Sequence, residues 1–390
     1  MSAKIIYVDN NATTAVAPEV YQSMIPFLTE RYGNPSSIHT FGGLVARDIE
    51  RAREELAALI GAEPYEILFT SCGTESDNAA IWGILEANPD KNHIITSKVE
   101  HPAILNTLRA LERTGYEVTY LGVDKNGQMD LAELARAVKP TTVLITMMYA
   151  NNETGVIFPI EEIGAIAKEH GVMFHTDAVQ AVGKVPLDMR KSTVDLLSLS
   201  GHKLHAPKGI GALFIRKGTR IRPFITGGHQ ERGRRGGTEN VASIVGLGKA
   251  AELARTHLSD EIRDLSALRD SLEQKVTARI PLTKINGGET KRLPNTANIS
   301  FKFIEGEAIL LMLDEHGICA SSGSACTSGS LEPSHVLRAM GVPFEFAHGS
   351  IRFSFSRYNT MADVDLITKT IAPIIERLRA LSPYSEARPM

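Results

Sequence analysis

Between residues 66 and 215 the chain alternates short apolar runs with amphipathic stretches of helical period, and that alternation leaves few folds open. Strand patterns fall at 66–70, 93–96, 117–121, 142–148, from 172 onward, at 196–200 and at 210–215. Helical patterns fall at 77–86, 130–138 and 160–170, and Pro102 marks the start of another after His101. The alternation argues for a mainly parallel sheet with helices on both faces. Such sheets bind ligands beyond the carboxyl ends of their strands, so the residues just after each apolar run carry the interest.

The flanking regions read differently. Residues 4–8 form a strand candidate closed by the turn Asp9-Asn10-Asn11-Ala12-Thr13-Thr14. Residues 19–30 are amphipathic and helical in pattern, Gly33-Asn34-Pro35-Ser36-Ser37 breaks them, and a helix over 45–60 ends at Gly61. Two long helical patterns, 241–257 and 258–279, put a domain boundary near Leu258. Beyond it come a strand at 295–301, a helix at 306–316, an alternating strand at 349–356 bearing Arg352, and a helix at 362–381. At 390 residues the chain is long enough for two cores.

Composition excludes several classes. A net charge of −3 gives no general reason to bind nucleic acid. The basic, glycine-rich loop over 227–240 has no aromatic residue on which a base could stack; it suits a reach toward a phosphate or a neighbouring subunit better. No apolar run approaches membrane-spanning length. Three cysteines, Cys72, Cys319 and Cys326, make no disulfide framework, and the start is too quickly polar for a signal peptide, so the expected compartment is the cytoplasm.

Several strand ends carry chemistry. Lys203, in Ser200-Gly-His202-Lys203, sits between two apolar runs. Held at a strand end among other cations, its amine becomes a nucleophile toward an aldehyde; a solvated basic turn is the alternative. Gly73 and Thr74 open a helix after a strand, a place that attracts phosphate, although a capping box over Ser71, Thr74 and Asp77 accounts for the same residues. His101 before Pro102 can stack on a flat ring and exchange protons, or simply cap. Asn151 and Asn152 follow a buried strand, as ligand donors or as a plain turn. Asp177 can hold a pyridine nitrogen protonated, making the ring of pyridoxal phosphate an electron sink, or cap the next segment. The segment from Ser321 to Ser330 is nearly all small residues and contains Cys326, an accessible thiol, while Cys319 after Ile318 reads as packing. Arg352 can grip a carboxylate or serve a structural ion pair.

Taken in order, Gly73-Thr-Glu75, Glu100-His-Pro102, Asn151-Asn-Glu-Thr-Gly155, His175-Thr-Asp177-Ala-Val-Gln180, Ser200-Gly-His-Lys203 and Ser321-Ser-Gly-Ser-Ala-Cys326 make the chain resemble the cysteine desulfurases, within the class V aminotransferase group of fold-type I pyridoxal phosphate enzymes. The versions at 202–208, 228–233 and 330–335 look most like the nitrogen-fixation type. The resemblance implies a mainly parallel, seven-stranded-type sheet flanked by helices in a large domain over 15–258, with 1–14 and 259–390 forming a smaller α+β domain. It implies Lys203 as the residue bonded to pyridoxal phosphate, His101 on the ring, Asp177 at the pyridine nitrogen, and Gln180 and Asn152 near the phenolic oxygen. Gly73, Thr74, Ser200 and His202 then hold the phosphate, with Thr238 reaching the neighbouring subunit's site in a homodimer. Arg352, with Asn34's loop nearby, binds the carboxylate of L-cysteine, and Cys326 takes the sulfur as a persulfide while alanine leaves. An iron–sulfur scaffold protein is the implied acceptor, and Cys326 a transient cluster ligand shared with it, since one thiolate cannot hold a cluster alone. Selenocysteine lyase and aminotransferase are the related alternatives; a non-catalytic scaffold has no use for Lys203 and Asp177 together.

Overall fold

The turn between residues 200 and 211 is too short for a crossover, so the strands on either side pair antiparallel, and this hairpin sets the one reversed strand of the central sheet. The computed structural model describes residues 5–322 and 333–384. Its strands are β1 Ile6–Tyr7, β2 Ile67–Thr70, β3 His93–Ser97, β4 Glu117–Leu121, β5 Thr142–Thr146, β6 Met173–Asp177, β7 Leu196–Ser200, β8 Gly211–Ile215, β9 Thr283–Ile285, β10 Thr296–Phe301, β11 Ile318–Cys319 and β12 Ser350–Ser354. The seven-stranded sheet runs β2-β8-β7-β6-β5-β3-β4. β8 is antiparallel to both neighbours, and every other pairing is parallel.

The main helices are α1 Pro18–Met24, α2 Pro26–Thr29, α3 Thr40–Ile60, α4 Gly73–Ala87, α5 Pro102–Glu112, α6 Leu131–Ala137, α7 Ile160–Glu169, α8 Val241–Arg279, α9 Gly306–Glu315, α10 His335–Ala339, α11 Phe344–Ala347 and α12 Met361–Leu381. Both faces of the large sheet are covered, as continuous apolar strands require. Ile67, Phe69, Ile145, Phe174 and Leu199 face the core shared with α3, α7 and the first half of α8. Leu68, Ile94, Leu144, Leu196 and Leu213 face α4 and α5. A separate core gathers β10, β12, α9, α12 and the second half of α8.

Four sequence expectations are corrected or extended. The two helical patterns over 241–279 are one 39-residue helix, about 58 Å long at 1.5 Å per residue. Nothing at Leu258 breaks it; only its buried face changes partner, from Ala254 in the first core to Leu265 in the other. The pattern over 19–30 is two helices, because Pro26 cannot continue α1. The helical pattern at 77–86 is only part of α4, which begins at Gly73, the residue read from the sequence as opening it. The alternating strand near Arg352 is buried at all five positions of β12. Its polar residues face the N-terminal segment rather than water: Asn11 N–H donates to Ser354 Oγ at 2.9 Å, and Arg352 pairs with Asp9 at 2.6 Å.

Candidate active site

The carboxyl ends of β2, β3, β5, β6 and β7 open onto one cavity of 280 Å³. Its walls include Gly73, Thr74, His101, Asn152, Asp177, Gln180, Ser200, His202, Lys203 and Arg352. Ten of the residues singled out from the sequence therefore share one pocket, drawn from separate strand ends. Two do not line it. Asn34 is exposed in the loop before α3, its Oδ1 accepting from Ser36 N–H at 2.9 Å. Thr238 lines a different cavity with Ser71, Arg235 and Glu239. Cys326 lies outside the described residues.

The sequence assigns no site role to Asn11, Cys72, Asp77 or Lys184. The first three line the pocket, and Lys184 bonds to Gln180 behind it. The Asn11 backbone carbonyl accepts from Lys203 Nζ at 2.5 Å and from Gln180 Nε2 at 3.0 Å. Lys203 Nζ also donates to the Ala12 carbonyl at 2.6 Å. The turn after β1 thus closes over the lysine, a long-range contact that the local signal at residues 9–14 could not disclose.

The start of α4 is built for an anion. Its N-cap, Cys72, makes no side-chain capping bond, and the capping box expected over Ser71 and Thr74 is not formed. The first N–H groups of a helix have no intrahelical acceptor, and the dipole favours negative charge there. A Cβ on Gly73 would stand 2.8 Å from Val179 Cγ2 and 3.4 Å from Ser200 Cβ, so only glycine leaves the cradle open. Ser200 Oγ is buried without a hydrogen-bond partner among the described residues, a donor awaiting an acceptor. Glu75, next in α4, is neutralised by Arg235 at 2.9 Å, which holds its carboxyl below the usual range despite burial. These features fit a phosphate.

The deeper wall is acidic and buried. Burial raises Asp177 above the ordinary carboxylate range, while His101 and Lys203 pull it back. One Asp177 oxygen accepts from Val179 N–H at 2.9 Å, so the capping reading holds alongside its place in the pocket. Asp77 is also fully buried, its Oδ1 3.7 Å from His175 Nε2 and without a hydrogen-bond partner among the described residues, and burial with Asp177 nearby pushes it well up. Glu100 is pushed up to about 8 by burial. His175, buried between Thr146 and Ser198, is pushed down to about 3 and stays neutral. A protonated ring nitrogen placed here would add a counter-charge beside Asp177.

His101 caps α5, its Nδ1 accepting from Ala103 N–H at 3.1 Å, which puts the ring proton on Nε2. Burial lowers its basicity. His202 is held near 4 by burial and by Lys203, so it is neutral at pH 7. Arg352 donates to Asp9 and, at 3.1 Å, to the Asn152 carbonyl; its Nε is buried and has no partner among the described residues. The residues on either side of the segment 323–332 are tied to this same wall. Ser321 exchanges backbone hydrogen bonds with Arg352, the Ser334 hydroxyl donates to Glu153, and His335 Nε2 lies 3.0 Å from the Glu100 carbonyl. Cys319 pairs with Tyr7 in β11, and burial with Asp314 and Asp9 nearby raises its thiol, which weakens it as a nucleophile.

Comparison with known proteins agrees with this geometry. The family model described as aminotransferase class-V matches residues 6–367. A protein named cysteine desulfurase 2 from Trichormus variabilis is 63% identical over 381 residues, 98% of this chain and 96% of that protein. The protein named cysteine desulfurase NifS from Azotobacter vinelandii is 55% identical over 380 residues, 97% of this chain and 94% of its own. A solved structure of a NifS-like protein superposes with a TM-score of 0.90 at 41% identity, covering 96% of this chain and all of that one. The chain belongs to the class-V aminotransferase family, among its cysteine desulfurase members.

Proposed function

We propose that the protein is a pyridoxal phosphate-dependent cysteine desulfurase that releases L-alanine from L-cysteine and keeps the sulfur on Cys326. The observation that carries this reading is one cavity walled by Lys203, Asp177, His101, the open start of α4 and Arg352. Bound there, pyridoxal phosphate supplies an aldehyde for Lys203 and a ring that takes up the charge left at the substrate α-carbon. Gly73, Thr74, Ser200 and His202 hold the phosphate. Asp177 meets the ring nitrogen, and Gln180 and Asn152 the phenolic oxygen. Arg352, with its spare Nε, binds the substrate carboxylate.

With the cofactor bound, Lys203 Nζ would move the substrate α-proton, with His101 Nε2 as the second proton carrier. The Cys326 thiolate then forms a sulfur–sulfur bond as the substrate carbon–sulfur bond breaks, and protonated carbon leaves as alanine. Chain connectivity supports this assignment. Cys326 is five residues beyond Ser321, which is bonded to Arg352, and five residues reach about 17 Å at most. Residues 15–258 are proposed as the cofactor-bearing domain and 1–14 with 259–390 as the smaller one. Thr238 is proposed to complete the partner subunit's site in a homodimer, which accounts for its separate cavity. An iron–sulfur scaffold, in nitrogenase cluster assembly, is the proposed acceptor, supported by the 55% identity to the NifS-named relative. Cys326 is proposed as a transient ligand of the cluster being built, and the cytoplasm as the compartment.

The test is product analysis. Alanine and sulfide should form from L-cysteine and a reductant, with no keto acid. Cys326→Ala should keep the cofactor colour and lose alanine formation; Lys203→Ala should lose both. Keto-acid production in place of sulfide would make the enzyme an aminotransferase, and a preference for selenocysteine with little sulfide would make it a selenocysteine lyase.

A further inference from the structure

We propose that Lys184 is a positioning residue for this site: it fixes the side-chain amide of Gln180 so that the amide nitrogen faces the pocket and donates to the phenolic oxygen of the bound cofactor. The inference deepens the proposed function and rests on it.

Lys184 follows Gln180 by four residues in the turns after β6. Its Nζ donates to Gln180 Oε1 at 2.8 Å and to Asn11 Oδ1 at 3.4 Å. Burial, with Lys203 and Arg352 nearby, lowers Lys184 to about 7; in its ammonium form it has donors and no acceptor, so the amide oxygen faces it. The amide nitrogen then faces the other way. Gln180 Nε2 donates to the Asn11 carbonyl at 3.0 Å, the same carbonyl that Lys203 Nζ reaches at 2.5 Å. A carboxamide nitrogen carries two hydrogens, and this bond uses one. Gln180 is 5% exposed and lines the pocket with Lys203 and Asn152, so the second hydrogen has the cofactor site as its outlet. A flipped amide would set Oε1 against the Asn11 carbonyl and NH₂ against the ammonium, two repulsive contacts at once.

The charged and titratable groups near Lys184 are Lys203, Arg352, His202, His205 and Glu261, the last paired with Arg357 at 2.5 Å. A donor fixed at the phenolic oxygen keeps that oxygen anionic. It thereby lowers the proton affinity of the adjoining Lys203–cofactor linkage, which the visible absorption of the holoenzyme reports as a function of pH.

The experiment titrates that absorption in holoenzymes of the wild type, Lys184→Met, Gln180→Ala and the double variant. Lys184→Met should raise the midpoint by about one pH unit, tenfold in proton affinity. Gln180→Ala should move it the same way, and the double variant no further than Gln180→Ala alone. A wild-type midpoint in Lys184→Met overturns the proposal. So does a double-variant shift equal to the sum of the two single shifts, since Lys184 would then act without Gln180. Should the methionine variant not fold, Lys184→Gln, which keeps a donor and drops the charge, should shift the midpoint less and in the same direction; no shift overturns the proposal. A wild-type protein that takes up no cofactor overturns both this inference and the functional reading beneath it, whereas an unmoved midpoint in a coloured holoenzyme sinks only the role of Lys184.

Discussion

Glu100 holds one oxygen against Ser97 Oγ at 2.6 Å and Met148 N–H at 2.9 Å, while the other has no hydrogen-bond partner among the described residues. Burial pushes its carboxyl from 4.5 to about 8. Between those values the folded protein keeps a proton that the unfolded chain has released, so stability falls as pH rises through that window. Glu100→Gln keeps an acceptor for both donors and cannot ionise. Its melting temperature should fall less between pH 5 and pH 8 than that of the wild type; an equal fall would remove Glu100 as the cause. Gly73 tests the phosphate cradle. With a new Cβ 2.8 Å from Val179, Gly73→Ala should weaken cofactor binding about tenfold, about 1.4 kcal/mol, at little cost to the fold. Unchanged affinity by equilibrium dialysis would place the phosphate elsewhere. At this scale the sequence disclosed what local chemistry announces: a lysine after a strand, a glycine opening a helix, an aspartate closing β6. It did not disclose Asn11 or Lys184, because their roles come from contacts spanning 192 and 4 residues whose geometry only the folded turn defines.

Among the elements, α8 is the member that joins the two cores. Ile244, Leu247 and Ala254 pack under the large sheet, while Leu265, Leu272 and Val276 pack with β10 and α12. His257, exposed between these two stretches, is the place to interrupt it. His257→Pro should cost about 3 kcal/mol and split thermal unfolding into two steps. A single transition at the wild-type temperature would show that α8 does not couple the cores. The sequence pattern divided this helix because its apolar stripe changes face where the core changes, and a shift of stripe reads as an end. Real ends were legible where backbone chemistry enforces them, as at Gly61, with φ 65°, and at Pro102 in the first turn of α5. The β7–β8 hairpin was legible from its short turn. The complete burial of β12 was not, since its serines and Arg352 look like a solvent face until Asp9 and Asn11 cover them.

For the molecule as a whole, the pocket is assembled from five strand ends and the N-terminal turn, and its proposed completion needs a second subunit. If Thr238 serves the partner's site, mixing Lys203→Ala chains with Thr238→Val chains should recover activity, because each hybrid then holds one intact site. Failure to recover would put Thr238 to work within its own subunit. The order of motifs along the chain made the parallel sheet and the family legible; the joining of Thr238 to another chain was legible only by resemblance, since one chain's sequence carries no record of its neighbour. Transfer of sulfur from L-cysteine to Cys326 is read most directly by mass measurement of the Cys326 peptide after incubation with L-cysteine. One sulfur atom should be added there, removable by a thiol reductant and absent in Lys203→Ala. Alanine formed with that peptide unchanged, or the added sulfur found on Cys72 or Cys319 instead, would contradict it.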